Sequence, residues 1–508
     1  MLYICFMIRL IISFIIIITV ITSFWSCKKD KLLTDPSATL SFSQDSVLFD
    51  TVFTSIGSTT RQIKVRNLNN QKINISSISF EKGTNSQFIM NVDGTSGKEI
   101  NNVEILANDS VYVFIQVNVN PNLPVALSPF IIQDKMLFSI NGNQQFVALE
   151  AWGQNAHYHF PDKAIQFKNG FLPYSTVSTQ TNVTVNWGGG SGISDNRPHV
   201  VYGWLVVDST QTLIINQGMK IYFHQGAGLW VYRYGTLQVN GVANNEVVFQ
   251  GDRREEDYLD LPGQWDRIWI NEGSKNNYIN YAIIKNNGIG IQASLFPFFS
   301  PPNTISYDET APKRLKITNT IIKNCSNVGL YAFAYDTWMA NSLVCNTKGY
   351  SVAVTNGGNA VFLHNTFANY FNKEGGRGEQ PCFHLDNFDG TNIWNYDSLY
   401  FGNCIVDGSI GNELEIDIRT PTAPTKIYQF NSCLLKGSAI TATASVNNFY
   451  NLATHFEDPS TYNFKLKSNS EAKAKGNTSF TGMYPFLLAT DLTGLTTRSG
   501  TPSVGCYE

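Results

Sequence analysis

Charge is what this sequence has least of. Asp, Glu, Lys and Arg make up 15% of its 508 residues, against roughly 25% in an average globular domain. No excess of base exists either: 36 Lys+Arg face 39 Asp+Glu, a net charge of −3, which excludes the cationic footprint of a nucleic-acid binder. The eight cysteines show no paired metal-ligand spacing, and His157, His159, His199, His224 and His364 are equally dispersed along the chain. No phosphate loop is present, since GGGSG at Gly188 reads as a linker. Disorder is excluded by an apolar content of 43%. What is plentiful is aromatic residues, 13% of the chain, together with Asn, Thr, Ser and Gly. That mixture favours strands joined by polar turns over helices. The length predicts two or three domains, or a repeat array.

The first 27 residues, MLYICFMIRLIISFIIIITVITSFWSC, carry an apolar run from Leu10 to Trp25. It is short for a membrane span of about 20 residues but suits the apolar region of a signal peptide. Arg9 lies late for a basic leader, and translation from Met7 would give the normal start MIRLIISF. The run ends at Ser26-Cys27, followed by Lys28 and Lys29. This resembles a bacterial lipobox in the loose form used by Bacteroidetes, although Phe24 and Trp25 replace the usual Leu and small residue. The resemblance implies a signal peptide over 1–26, acylation of Cys27, a tether over 27–38 and attachment to the membrane through the lipid. It places the protein in the bacterial cell envelope, as a surface-exposed outer-membrane lipoprotein. Loss of Arg9 takes the net charge from −3 to −4.

Between 39 and 157, stretches such as RQIKVRN, INISSISF and SVYVFIQVNV are separated by Asn, Gly, Ser and Asp turns. Val111, Val113, Ile115, Val117 and Val119 alternate at period two, so one face of that strand is buried. Such strands predict an antiparallel β-sandwich. FDTVFTSIGSTTRQIKVRN and FIIQDKMLFSINGNQQFVALEAWGQNA resemble immunoglobulin-like domains of Bacteroidetes surface lipoproteins. Asp93 and Asp109 stand in turn contexts, VDGTSG and ANDS, and read as turn formers. The domain is a spacer or docking platform.

From about Val200 the strands shorten to three to five residues. NTIIKN at Asn319 and NSLVCN at Asn341 match 22 positions apart, and NTFA at Asn365 follows 24 further on. YAIIKN at Tyr281, NCIVDG at Asn403 and SCLLKG at Ser432 extend the series, with gaps of 38 that hold one coil plus an insertion. One such insertion surrounds Pro301 and Pro302. A period near 22 without helical periodicity is a solenoid, here a parallel β-helix. The span 200–490 gives about 13 coils before insertions are subtracted, stacked at ~4.8 Å. Asn319, Asn341, Asn365 and Asn403 are expected to form a ladder in which stacked amides satisfy the turn. Residues 158–199 lead into the helix, and 491–508 cap it.

The opening YGWLVVDSTQTL, the stretch GDRREEDYLDLPGQWDRIWINEGSKNNYINYAIIKN and the ending DLTGLTTRSGTPSVGCYE are similar to right-handed parallel β-helix lipoproteins of Bacteroidetes, of the pectin-lyase-like superfold. In that ending, Asp491, Gly494, Arg498, Gly505, Tyr507 and Glu508 stand where the family writes a D-x-x-G, an Arg and a GAYE tail, with Cys506 replacing Ala. The resemblance covers nearly the whole chain after the leader. It implies an all-β architecture, an antiparallel sandwich followed by a right-handed parallel β-helix, and leaves activity undetermined because fold does not imply function. Nothing resembles the catalytic signatures of pectate lyases or polygalacturonases. Cys404 and Cys433 share a repeat position and fall within disulfide range if their coils adjoin, whereas Cys325 and Cys345 are out of phase. A ladder of buried free thiols is the simpler expectation.

Two outward patterns offer chemistry. In ELEIDIR, Leu414, Ile416 and Ile418 face inward, which leaves Glu413, Glu415, Asp417 and Arg419 in one outward line. In CFHLDNFDG, His384 and Asp386 point out likewise. On neighbouring coils these form an acidic groove. One reading is a calcium-assisted lyase site, with Glu413, Glu415 and Asp417 holding Ca2+ and a base abstracting a proton beside a uronate; another is glycoside hydrolysis by paired carboxylates. The plain alternative is a solvated, salt-bridged sheet face. The second pattern is aromatic: Trp230 and Tyr232, then Trp269, then Tyr331, Phe333 and Tyr335. These either form an outward platform for sugar stacking or lie beneath the apolar insertion LFPFFSPP, and the inward and outward assignment of the last three can be reversed.

Three functions follow: a polysaccharide-binding surface lipoprotein without a catalytic motif, a polysaccharide lyase or hydrolase, or a structural envelope component. Partners are then the membrane and a polysaccharide, with no nucleic acid, and the chain acts as a monomer. Metabolic palmitate labelling should mark the wild type and vanish in Cys27→Ala; persistent labelling of the variant contradicts the anchor.

Overall fold

The computed structural model describes residues 31–508 except 54–57, 120–129, 168–169, 190–194, 297, 301–303, 307, 309, 374, 391, 395, 397, 420–427 and 441–443. Cys27 lies outside the described residues. The chain divides into two compact units, 1–155 and 156–508.

The first unit is a β-sandwich of two five-stranded sheets among the described residues. Its alternating strand behaves as its period dictates: Val113, Ile115, Val117 and Val119 are fully buried, while Val111 packs at the margin of the same core. Among the described residues every strand pairing is antiparallel except one, with one isolated parallel bridge between Leu32 and Lys72. Ser46–Phe53 runs parallel to Asn143–Gln154, with a register shift at Ala151/Trp152. Asp93 adopts φ 49° and Asp109 accepts from the Ser110 N–H at 2.7 Å, both consistent with turn formation.

The second unit is a right-handed parallel β-helix. Each coil contributes a strand to three sheets, which hold eleven, ten and ten strands among the described residues. The first sheet runs from His157–His159 to Phe449–Tyr450, the second from Lys163–Phe167 to Leu414–Asp417, and the third from Thr184–Trp187 to Ser445–Val446. The helix therefore starts at His157 and not at Val200, because 157–187 already supplies strands to all three sheets, two of them, an antiparallel pair, to the second. Its coils end near Tyr450, short of the expected 490.

Inside, like stacks on like. On the second sheet Leu205, Leu229, Ile268, Ile291, Leu330, Val352, Phe383 and Leu414 form one inward column of paired residues. Phe401 lies over Phe430 with ring centroids 4.1 Å apart and planes 6° apart. Each such buried side chain contributes about 1.5–3 kcal/mol.

The corner between the third and first sheets is a left-handed residue in successive coils: Tyr281, Asn319, Asn341, His364, Asn403, Ser432 and Asn447 have φ between 46° and 55°. Asn tolerates this conformation best among residues with a side chain, and here it also bonds along the stack. Asn341 donates to Asn319 Oδ1 at 2.6 Å, and Asn319 donates to Asn280 Oδ1 at 2.9 Å. Asn365 departs from the expected ladder by one position. His364 takes the corner instead, and Asn365 occupies the place of Thr320 and Ser342, where its amide ties Met339 O and the Ser342 N–H. His364 is fully buried with its Nε2 on the Asn403 amide and its Nδ1 on Gly505 O. Burial, then the nearby Arg498 charge, holds it neutral.

Residues beyond 450 do not cap an end. Most lie along the outside of the first sheet, where Phe456, Phe464, Leu466, Leu492, Val504 and Cys506 pack on Leu343, Cys345, Ala368, Ile405 and Leu434, while Phe480 and Leu488 of the short helices Thr478–Met483 and Pro485–Leu488 pack on Ala340 and Leu363 of the third sheet. The conserved-looking tail is thus an architectural clasp. Buried Arg498 donates to Asn341 Oδ1 at 2.7 Å, to Thr490 O at 2.5 Å and to Cys506 O at 3.2 Å. Gly505, at φ 95°, leaves no room for a side chain against Thr366 and Ile405. All six described thiols are free and buried. Cys433 Sγ meets the Cys404 N–H at 3.4 Å, whereas Cys325 pairs across from Thr347 and never meets Cys345.

Arg498→Ala should destabilise the second unit by about 3–5 kcal/mol, because it orphans several buried acceptors at once. Asn341→Ala should cost about 1–3 kcal/mol. Equilibrium unfolding that moves by less than about 0.5 kcal/mol for Arg498→Ala would contradict the clasp.

Candidate functional site

Parallel pairing fixes which residues meet on the outside of the second sheet. The outward column there runs Val206, Trp230, Trp269, Gln292, Tyr331, Ala353, His384, Glu415. Beside it, Ser294 pairs with Phe333 and Phe333 with Thr355, and further along Asp386 pairs with Asp417. Both candidate patterns of the sequence therefore belong to one face.

Its acidic end is organised by His384. Nδ1 stands 2.7 Å from Glu415 Oε2 and Nε2 stands 2.8 Å from Asp386 Oδ2. Ionised carboxylates only accept, so both bonds require the imidazolium form. Burial opposes that form, but the two carboxylates outweigh it and raise His384 above its ordinary value. The side chains of His384 and Asp386 are 15% and 17% exposed, and that of Glu415 45%. Tyr350 stacks on the imidazole at 4.8 Å, and burial together with the acids raises its hydroxyl pKa. Asp386 is held further by the Asn356 N–H at 3.2 Å.

Two expected members, Glu413 and Arg419, are elsewhere. Glu413 is fully buried, because the alternation breaks just before the strand Leu414–Asp417. There its carboxylate pairs with Arg377 at 2.8 and 2.9 Å and accepts the Cys382 N–H at 2.9 Å. Arg419 turns away to lie over Phe388 at 3.3 Å and to donate to Gly390 O at 2.8 Å, while buried Asn387 clamps its backbone. Asp417 stays exposed at the strand end. Asp386 and Glu415 bind opposite edges of one ring and do not converge, and among the described residues no group of three His, Cys, Asp or Glu can hold a metal ion. The residues present do not suit Ca2+.

The aromatic end is largely covered. Trp230 and Trp269 are 2% and 8% exposed and stack at 4.9 Å, with Trp204 edge-on and Phe296 over both. Trp230 Nε1 donates to Asn271 at 2.7 Å and Trp269 Nε1 to Ser294 at 2.9 Å. The cover is anchored by Glu272, a buried carboxylate that accepts the Phe296 N–H at 2.7 Å and pairs with Arg233. Tyr232 is half-buried at the edge of this cluster. Tyr335 is inside the core, its hydroxyl on Asn271 O at 3.0 Å, since Ala334 at φ 50° breaks the alternation ahead of it. Tyr331 and Phe333 remain outward and half-buried, their rings 6.5 Å apart. Two sequence-predicted platform residues thus stay on the open face, and Tyr350 joins them. Tyr350 had a signal: it precedes Val352 by two positions, as Ile289 precedes Ile291 and Val328 precedes Leu330, and the three cluster together.

The histidines read as dispersed include a stack. His157 pairs with His199 across the first sheet; His199 lies 3.7 Å from Trp187, and His159 Nε2 is 2.9 Å from His199 Nδ1. Burial, then its neighbours' charge, lowers His159 to about 4 and His199 to about 2. Asp195 is held down by Arg197 and binds His157 at 2.7 Å.

The two histidine sites have opposite pH signs. His159 and His199 are depressed, so their contribution is complete above about pH 6.5 and is lost as pH falls toward about 4; His159 alone is worth on the order of 3 kcal/mol. His384 is raised, so its contribution is complete below about pH 6.5 and fades as pH rises through its higher value. Stability measured by equilibrium unfolding across this range should fall on acidification. The His384 ring should titrate above free histidine by NMR and fall back in Glu415→Gln; titration at or below the ordinary value contradicts the triad.

No family model matches the chain, and no curated protein matches it. Among solved structures, it is similar to the catalytic unit of a thermostable GH87 α-1,3-glucanase from Streptomyces thermodiastaticus strain HF3-3, at 8% identity and TM-score 0.26 over 76% of this chain and 87% of that one. It is similar to a Porphyromonas gingivalis W83 protein of unknown function at 14% identity and TM-score 0.18, covering 25% of this chain and half of that one. A family 123 glycoside hydrolase from Clostridium perfringens matches 24% of each chain at 10% identity and TM-score 0.17. Similarities this slight carry no argument about activity.

Proposed function

We propose that the protein is a monomeric cell-envelope lipoprotein, anchored through Cys27 to the outer membrane, whose β-helix binds a polysaccharide along the outer face of its second sheet. One observation carries the reading: Gln292, Tyr331, Ala353, His384 and Glu415 follow one another in register on successive coils. Half-buried Tyr331, Phe333 and Tyr350 supply ring faces beside the polar groups. Sugars use this combination of apolar ring faces and fixed hydrogen-bonding groups.

Binding without turnover is supported by the state of His384. Both its nitrogens are committed to carboxylates, so the face offers no free imidazole base. Thiol chemistry is equally disfavoured, since burial pushes Cys345 and Cys506 up to about 12. One imidazolium stands against Asp386, Glu415 and Asp417, and this negative balance favours a neutral glycan over a uronate.

Calorimetry with neutral glycans and polygalacturonate tests the reading. Wild type should bind a neutral glycan, and Tyr331→Ala with Phe333→Ala should weaken it about tenfold, the loss of two stacking contacts of about 0.5–1.5 kcal/mol each. Preference for polygalacturonate, or release of reducing ends or unsaturated products that stops in Asp386→Asn, would contradict binding without turnover and favour a lyase or hydrolase.

A further inference from the structure

The outside of the first sheet carries a second surface, remote in chemistry from the first. The repeated IIKN of Tyr281–Asn286 and Asn319–Asn324 puts Ile284 and Ile322 inside and leaves Ile283, Lys285, Ile321 and Lys323 pointing out. Ile283 pairs with Val248 on one side and Ile321 on the other, so three aliphatic side chains follow the helix axis on adjacent coils. Lys285 and Lys323 are direct cross-strand partners, and Lys220 pairs with Val248 at the head of the strip. The C-terminal segment covers this sheet from Leu343 onward and packs partly against Ile321. Where that cover stops, Tyr462 closes a cavity of about 350 Å³ over the aliphatic strip.

Among the described residues, the cations Lys220, Lys285 and Lys323 form no ion pair, and Asp260 is the carboxylate that acts on Lys285. Lys285 Nζ donates to Leu259 O at 3.2 Å, and Lys323 Nζ lies 4.4 Å from the Tyr462 ring centre. Like charges directly opposite on neighbouring strands repel. Burial, then Lys323 and Arg254, push Lys285 down, against a single opposing carboxylate at Asp260. Asp260 is itself engaged by the Asn324 amide at 3.2 Å.

We propose that this cavity binds a single-chain anionic lipid, a long-chain carboxylate whose head lies between Lys285 and Lys323 and whose chain lies along Val248, Ile283 and Ile321. Charge-assisted bonds from paired ammoniums neutralise the head. The chain removes from water an aliphatic strip that a small inorganic anion would leave wet. The site is independent of the glycan-binding reading, since it lies on a different sheet.

Sodium dodecanoate, below its micelle concentration, is the probe, titrated calorimetrically into the whole chain lacking its leader. Wild type should bind it, dodecyl maltoside and inorganic phosphate should each bind at least tenfold more weakly, and Lys285→Gln with Lys323→Gln should weaken dodecanoate at least tenfold while the circular dichroism is unchanged. Ile283→Ser should weaken it as well. No binding by wild type, equal binding of dodecyl maltoside, equal binding of phosphate, or an affinity untouched by the lysine pair would each overturn the proposal.

Discussion

The in-register parallel ladder between successive coils is the constraint on which everything else rests. Each coil must return to the same place, and the left-handed corner at Asn319, Asn341, His364 and Asn403 is what returns it. A slip of one residue would turn every inward side chain outward. The corner is therefore tied twice: by amides bonding from coil to coil, and by Arg498, which reaches the stack from the C-terminal segment at Asn341. Tail and ladder are one device. The motif that looked most like a signature serves the architecture.

Register converts separation in sequence into adjacency. Gln292 and Glu415 lie far apart along the chain, yet belong to one column. The same geometry explains why neighbours in sequence part company. Glu413 and Glu415 differ by two positions, but one neutralises a buried Arg377 while the other faces solvent on His384. The β-helix thus places its few charges selectively, and the low charge content seen at the outset reflects turns built from Asn, Ser, Thr and Gly.

Period two and the 22-residue repeat made the sandwich, the solenoid and most inward residues legible. Leu414, Ile416, Phe383 and Leu385 face the interior as alternation requires. Legibility failed wherever alternation was interrupted. Ala334 reverses the phase before Tyr335, and Asn365 stands one position past its corner. Insertions were legible in part, because the apolar LFPFFSPP offered a cover for the aromatic stripe and its Phe296 does fold over Trp230 and Trp269. The His157–His199 stack was hidden for the opposite reason: its members meet only once the first coil closes, and no local pattern marks that closure.

The outer face of the second sheet changes character along its length, from a sealed tryptophan cluster to an open run of Tyr331, Tyr350 and the His384 triad. If that run, taken from Gln292 to Glu415, is one continuous binding surface, it spans four inter-coil steps, roughly 19 Å at ~4.8 Å each. The most direct measurement is the affinity of a neutral oligosaccharide series of increasing length for the whole chain. Affinity should climb with each added unit until the oligomer reaches across the column, then level off. An affinity set by the first unit and unchanged by further ones would contradict the column as the binding surface.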